Sequence, residues 1–262
     1  MKTIAIVNHK GGVGKTTTTF NLGAELAARG KKVLLIDFDM QSNLSAACGI
    51  DGNVFQSHKT VADGINSVMN DEIPDYANII KPTEVSENLY VVPCDLSMAN
   101  TILTLQNQVA RETHLKTFLD GVGDFDICLI DCAPSIMIDF QNALVASDGI
   151  LIVTNPNTFS ANGIMSLLEN FTKVKKHFNN DLSIMGVLIN NVKPRTRLHR
   201  EMKTVLHDIW GEIYVFDSDI PNTIKLEESV CAGKPIKDYE KNNPAALAFD
   251  AFTDEFIERM GA

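Results

Sequence analysis

The sequence predicts an α/β fold: a doubly wound, mostly parallel sheet with helices on both faces. Three observations carry that expectation. Short strand-like runs alternate with helical segments along the whole chain, several of the runs are apolar on both faces, and the first run ends in a glycine-rich loop leading into a helix. A strand apolar on both faces suits a parallel sheet covered by helices on either side. A glycine loop between a strand and a helix is where such a sheet can hold an anion.

Taken in order, strands are expected at Thr3–Val7, Lys32–Ile36, Leu89–Pro93, Ile127–Asp131, Gly149–Thr154 and Ser183–Asn190. Helices are expected at Lys15–Arg29, Thr60–Met69, Met98–Leu119, Ile138–Ala146, Ala161–Phe178, Leu198–Trp210 and Ala245–Met260. Gly30 stands where the glycine just beyond a helix end belongs, and Ser160 is placed to cap the helix that follows it. The polar, irregular stretches Asp51–Lys59 and Asn70–Glu87 read as surface insertions. With no repeat, low-complexity tract or dividing linker, residues 1–262 read as a single domain.

Bulk composition narrows the class. The 262 residues are 45% hydrophobic and 21% charged, an ordinary soluble mixture. A chain of this length buries about three quarters of its unfolded surface and needs no disulfide or metal for stability. No apolar run approaches the ~20 residues of a membrane span, and no secretory leader is expected. The five cysteines form no CxxC pair; Cys128 and Cys132, four apart in an expected strand, read as buried thiols in a reducing cytosol rather than as metal ligands. A cytoplasmic protein is therefore expected. The net charge of −10 argues against an overall positive surface but leaves room for a local basic patch.

The strongest motif is Asn8-His9-Lys10-Gly11-Gly12-Val13-Gly14-Lys15-Thr16-Thr17, between the first strand and the first helix. Phosphate binding needs backbone N–H groups converging on the anion, and glycines permit the tight turn. Lys15 is expected to reach the β- and γ-phosphates of ATP, and the Thr16 hydroxyl to complete a Mg²⁺ shell. The plain GxxxxGK[ST] pattern is broken once, because His9 occupies the first glycine's place. The run from Lys10 to Thr16 resembles the deviant Walker A box of the ParA/MinD family, whose extra lysine is its signature. The resemblance implies a P-loop ATPase in which Lys10 contacts the phosphates bound by a partner subunit. A flexible stem bearing a compact charge suits that task; a solvated loop lysine is the plainer alternative.

Two acid-ended strands support the same reading. Asp37-Phe38-Asp39-Met40-Gln41-Ser42-Asn43 resembles the family's D-x-D-P-Q-G-N box, with Met40 for proline and Ser42 for glycine. Acids at the carboxyl ends of a parallel sheet face the ligand crevice. By resemblance Asp39 positions the attacking water and Asp37 supports the Mg²⁺ shell. Ile127 to Ser135 looks like a Walker B strand with the family's D-x-x-P ending, so Asp131 is expected to hold Mg²⁺ and the loop after it to sense the γ-phosphate. Asp126, before the strand, reads as a solvated cap.

Base recognition is written more faintly. The strand ending in Asn190-Asn191 offers amides that read donor and acceptor on an adenine edge, and the resemblance favours Asn190. Asp219 to Glu228 resembles the family's IP-rich loop, with Pro221 as a wall of the base pocket. An asparagine at a strand end is equally an ordinary turn residue.

Lys193 to Lys203 carries five Lys/Arg against one acid, a local reversal in an acidic chain. Family members that segregate DNA use basic residues near the adenine loop, and those positions fall on Arg195 and Lys225; Arg197 and Arg200 extend the patch. DNA binding without sequence preference needs only a handful of phosphate contacts. A helix start with solvated charges, or an inter-subunit contact, is the other reading. The tail from Asp250 to Arg259 carries four acids and one arginine, while Phe249, Phe252, Phe256 and Met260 follow helical spacing. That is a core-packing helix, and membrane binding is not expected.

As a whole the resemblance is to the ParA/Soj branch of partition ATPases. It implies a slow ATP hydrolase that forms a homodimer when ATP-bound, binds DNA nonspecifically and so associates with the nucleoid. A ParB-like centromere-binding partner protein would stimulate hydrolysis and release. The first strand is reached at once, so no operator-reading extension is expected. The alternative within the family is an ATPase positioning a protein cluster or septum component. Outside it stand a metabolic P-loop enzyme and a tyrosine autokinase, the latter disfavoured by only four scattered tyrosines.

Overall fold

The computed structural model describes residues 1–50, 58–156, 161–193, 196–210 and 214–261. Its strands are β1 (Lys2–Val7), β2 (Val33–Phe38), β3 (Lys81–Pro82), β4 (Leu89–Val92), β5 (Ile127–Cys132), β6 (Gly149–Thr154) and β7 (Ser183–Ile189). They form one sheet in the order β3-β4-β2-β5-β1-β6-β7, parallel throughout except where β3 runs against β4. All six residues of β2, β5 and β6 are buried, because helices cover both faces of the sheet. Two apolar clusters result, one on each face.

The helices are α1 (Lys15–Ala28), α2 (Asn43–Ala47), α3 (Val61–Met69), α4 (Tyr76–Ile79), α5 (Ser97–Leu105), α6 (His114–Asp120), α7 (Ile138–Val145), α8 (Ala161–His177), α9 (Arg197–Trp210), α10 (Ile224–Cys231), α11 (Ile236–Tyr239) and α12 (Pro244–Gly261). Among the described residues none is long and apolar enough to cross a membrane.

Strand order positions the site. The chain places β2 and then β6 on opposite sides of the β1–β5 pair, so the carboxyl end of β1 lies where the winding reverses. Such a reversal leaves a crevice at the strand tips, the usual ligand position in open α/β sheets. The loop after β1 is flanked there by the tips of β5 and β6.

Several expectations needed adjustment. The helix expected over Met98–Leu119 is two helices, α5 and α6, parted by a polar turn in which Ala110 adopts φ 52°. Asn142 holds that turn: its Nδ2 donates to the Arg111 carbonyl at 2.7 Å and its Oδ1 accepts the Leu115 N–H at 3.1 Å. The stretch expected to be irregular before Leu89 contains α4 and the two-residue β3, too short and too proline-bound to read as a strand. The Ser160 cap and most of the first expected insertion lie outside the described residues. Gly30 does adopt the left-handed φ of 81° just beyond α1.

Helix α12 buries Phe249, Phe252 and Phe256 completely and packs along α1, while Met260 is partly buried at the edge of the same cluster. Phe252 meets Phe216 edge-on at 4.9 Å between centroids. Arg29 ties the two helices together through Glu25, Asp250 and Asp254. In chemical denaturation, Phe252→Ala is expected to cost about 3–5 kcal/mol, as deletion of a buried aromatic does. Leu247→Ala, on the exposed side of the same helix, is expected to stay within about 0.5 kcal/mol. Equal effects would contradict the assignment of the phenylalanine face to the core.

Candidate nucleotide site

The loop between β1 and α1 owes its shape to glycines at two left-handed positions, Gly12 (φ 71°) and Gly14 (φ 93°). Gly14 is the N-cap of α1, and no side chain caps that end. The first turn also carries no acidic residue, so its N–H groups and positive dipole end remain available to an anion. Lys15, almost fully buried, folds its ammonium onto the Lys10 carbonyl at 3.1 Å. Burial holds its pKa below the ordinary lysine value against the pull of Asp131. Gly11 and Gly12 are exposed, Val13 is core, and Thr16, Thr17 and Lys10 are half-buried. The Lys10 N–H is held by Asn8 Oδ1 at 3.0 Å. His9, in the place of the missing glycine, is kept below its ordinary pKa by burial, with Lys10 and Lys15 adding to the effect.

Asp131 ends β5 beneath this loop. Its Oδ2 accepts the Thr16 hydroxyl at 2.6 Å, and Thr19 Oγ1 lies 3.5 Å from Oδ1. Asp37 pairs in register with Asp131 across β2 and β5. It does not line the open cavity: it is wholly buried, accepting the Ser45 N–H (2.8 Å) and hydroxyl (2.6 Å) on one oxygen and the Asp39 N–H (3.2 Å) on the other. Asp37 thus anchors α2, a helix the sequence did not announce. Asp39 is half-buried on the lip, where its Oδ1 accepts the Gln41 N–H. Ser42, where the resembled box has glycine, adopts φ 58°, a conformation glycine takes at lower cost. A cavity of about 480 Å³ opens between the loop and Asp39, lined by Gly12, Lys15, Thr16, Asp39 and Pro134 among others.

Burial pushes the Asp131 carboxyl up to about 8, and Asp37 adds to it; burial likewise raises Asp37 to about 6. The Asp131 carboxyl and the Thr16 hydroxyl beside it are hard oxygens of the kind a divalent cation takes. Among the described residues no trio of His, Cys, Asp or Glu has metal-binding spacing. A Mg²⁺ ion held by Asp131 and Thr16 would take the rest of its shell from phosphate and water, as Mg²⁺ commonly does. Cys128 and Cys132 are buried in apolar surroundings that raise both thiols' pKa.

A second hollow of about 180 Å³ adjoins the loop, lined by Gly12, Thr17, Asn191, Pro221, Asn222 and Glu227 among others. Pro221 is buried and bridges to Val192. Asn190 also lines this hollow. Its Nδ2 lies 3.4 Å from both the Gly14 carbonyl and Thr18 Oγ1, and its Oδ1 accepts the Asn191 N–H at 2.7 Å. Asn155, just past β6, donates to the Gly12 carbonyl at 3.2 Å. Sequence reasoning missed Asn155, which reads as a turn residue.

The basic segment falls mostly on α9. Arg195 lies outside the described residues. Arg197 and Arg200 are exposed, with Arg197 paired to Glu201 one turn on at 2.6 Å. Lys203 (3.3 Å) and His199 (2.9 Å) share one oxygen of Asp219, which ties α9 to the loop before Pro221. Lys225 sits apart on α10, paired to Glu228 at 2.8 Å. Exposed pairs of this kind contribute little to stability and are screened by salt.

Residues 1–184 match the family model described as an AAA domain. The chain is 38% identical over 253 residues to the sporulation initiation inhibitor protein Soj of Bacillus subtilis, covering 95% of both chains. It is 34% identical to the chromosome-partitioning ATPase Soj of Treponema pallidum, covering 99% of this chain and 98% of that one. Among solved structures, cobyrinic acid a,c-diamide synthase from Mycobacterium smegmatis with bound ADP and magnesium superposes with a TM-score of 0.84 at 26% identity, over 100% and 96% of the two chains. The cell division ATPase MinD of Pyrococcus furiosus superposes at 0.75 with 27% identity, over 99% of each chain.

The acid pair makes stability pH-dependent. Unfolded, both carboxyls ionise near about pH 4; folded, they keep their protons until about 6 and 8. The folded state binds more protons between those limits, so this part of the stability is complete below the unfolded value and is lost as pH rises through the folded ones. Thermal melting of the nucleotide-free protein should fall by at least about 2–4 °C from pH 5.5 to 8.5, the shift about 1 kcal/mol produces at this size. Asp131→Asn should flatten that slope; an unchanged slope would contradict the buried pair as its source.

Proposed function

Because the chain belongs to the ParA/Soj family of P-loop ATPases, we propose that it is an ATP-dependent DNA segregation switch acting as one unit over residues 1–262. The observation that carries the nucleotide half is the convergence of Lys15, Thr16 and Asp39 on one cavity at the uncapped start of α1, with Asp131 buried beneath it and bonded to the Thr16 hydroxyl. In this reading the loop's N–H groups from Gly11 to Thr17 and the Lys15 ammonium hold the β- and γ-phosphates of ATP. Thr16 and Asp131 hold Mg²⁺, with Asp37 fixing the strand end behind them; the ion, when bound, neutralises charge developing on the phosphates. Asp39, on the lip, orients the attacking water. Positioning and charge stabilisation are what phosphoryl transfer asks of a protein.

Lys10 turns this site toward a second copy. Its backbone is fixed from both sides, by Asn8 at its N–H and by Lys15 at its carbonyl. A lysine so mounted at the mouth of the loop is suited to reach phosphates bound by a partner subunit. ATP would then hold a homodimer together, two copies of the basic surface would face one DNA, and affinity would rise steeply with the number of phosphates neutralised. Arg195, Arg197, Arg200 and Lys225 are the residues assigned to that surface. A ParB-like partner on the cargo would stimulate an intrinsically slow hydrolysis and release the dimer, leaving the protein cytoplasmic between cycles and on the nucleoid while ATP-bound.

A second reading has its own support. The MinD neighbour is a cell division ATPase, and Arg197 and Lys225 already face acids. An ATPase of this family that positions a protein cluster or septum component would share the site and dispense with DNA.

Two experiments test the proposal. In titration calorimetry Lys15→Ala should weaken ATP binding by at least about a hundredfold, the loss of a buried charge-assisted contact. Lys10→Ala should keep nucleotide affinity within a few fold while its ATP complex stays monomeric; a dimer in that variant would contradict the shared-lysine arrangement. In gel shifts, wild type should retain nonspecific DNA with ATP and not with ADP. Arg200→Glu should lower the salt slope of that binding by about 1, whereas no ATP-dependent shift in wild type would favour the positioning reading.

A further inference from the structure

The loop between β5 and α7 is tied to its own helix by a hydroxyl and a buried carboxylate. Ser135 Oγ donates to Asp139 and lies 2.7 Å from each of its two oxygens. The same Oγ accepts the Met137 N–H at 3.3 Å, and the Ser135 N–H donates to the Ala133 carbonyl at 2.8 Å. Ser135 thus joins Ala133, Met137 and Asp139 and spans the loop. Asp139 is only 4% exposed, and neither phosphate nor cation binding gives it a task. It lies in the first turn of α7, a helix with no side-chain cap hydrogen bond, and reaches back to Ser135 instead of capping the backbone. A hydroxyl bonded to a carboxylate makes a contact roughly twice as strong as one between neutral groups.

Both ends of the loop are fixed. Helix α7 buries Ile138, Phe140, Ala143 and Leu144, and Asn142 fastens it to the turn between α5 and α6. At the other end stands Asp131, buried near the tip of β5 and bonded to the Thr16 hydroxyl. Between them Pro134 lines the cavity that Lys15, Thr16 and Asp39 also line. We infer that Asp139, acting through the Ser135 hydroxyl, is a positioning residue that presets the Pro134 loop for the terminal phosphate of a nucleoside triphosphate. This inference rests on the cavity binding nucleotide, as proposed above. A loop already held in place need not be ordered when the ligand arrives, and the entropy saved appears as affinity. The gain falls on the triphosphate. In that reading the glycine loop and the start of α1 hold the phosphates that ADP and ATP share, whereas Pro134 borders the cavity together with Asp39, the acid assigned to the attacking water.

Titration calorimetry with ADP and with a non-hydrolysable ATP analogue, each with Mg²⁺, tests the pair. Ser135→Ala removes the hydroxyl, Asp139→Leu removes the acceptor at similar size, and Asp139→Asn keeps an acceptor for the same hydroxyl. Ser135→Ala and Asp139→Leu should each lower the analogue-to-ADP affinity ratio about tenfold, the loss of one hydrogen bond to a charged group. ADP affinity itself should stay within about twofold of wild type. Asp139→Asn should recover part of the ratio, and the double variant should be no worse than either single one, since both remove the same pair. A merely structural role would lower the melting temperature and leave the ratio at its wild-type value. An unchanged ratio in Ser135→Ala, the variant least disturbing to folding, would overturn the inference, as would equal losses for ADP and the analogue. Failure of the unmodified protein to bind either nucleotide would instead overturn the nucleotide reading, and the inference with it.

Discussion

The buried carboxyl of Asp131 is the constraint around which the site is arranged. It ends a strand with no exposed residue, sits in register beside Asp37, and has the Thr16 hydroxyl as its close partner. Burial raises both carboxyls, Asp37 adds to the rise at Asp131, and two such groups in a dry interior cost stability if both ionise. Such an arrangement makes sense where a cation and a polyphosphate complete it, since each supplies the charge the other needs. The neighbouring features follow from that requirement: an uncapped helix start, a buried lysine curled into the loop, and an acid on the lip.

Sheet order delivers these groups to one place. Asp131, Asp37, Asn8, Asn155 and Asn190 each sit at or just beyond a strand end, and strands β2, β5, β1, β6 and β7 are consecutive in the sheet. The phosphate loop therefore rests on a row of polar tips, with carboxylates on one side and amides on the other. In the reading proposed above, Asp131 would meet the cation while the amides of Asn8 and Asn155 hold the loop's backbone.

Much of this was legible in the sequence because it is local. The loop from Asn8 to Thr17, the strand ends at Asp39 and Asp131, and the phenylalanine face of α12 are contiguous or periodic patterns with one physical meaning. What stayed hidden depends on partners far along the chain. Asp37 is occupied by Ser45, on a helix of five residues too short to register as a pattern. Asn155 meets Gly12 from 143 positions away, and nothing in an asparagine after a strand distinguishes a brace from a turn. The break between α5 and α6 depends on Asn142, and the tie between α9 and the Pro221 loop on Asp219. The basic segment shows in the charge pattern, whereas the Asp219 partner of His199 and Lys203 lies on a separate loop.

Those pairings bear on how a switch would operate. Asp219 joins the helix carrying Arg197 and Arg200 to the loop whose Pro221 walls the second hollow. The claim on which the account turns, however, is that triphosphate and a second lysine together make a dimer. Sedimentation velocity on the unmodified protein, without nucleotide, with ADP, and with a non-hydrolysable ATP analogue and Mg²⁺, tests it most directly. The account requires a monomer in the first two conditions and a dimer in the third. A dimer that forms without nucleotide, or a monomer in all three, would contradict it.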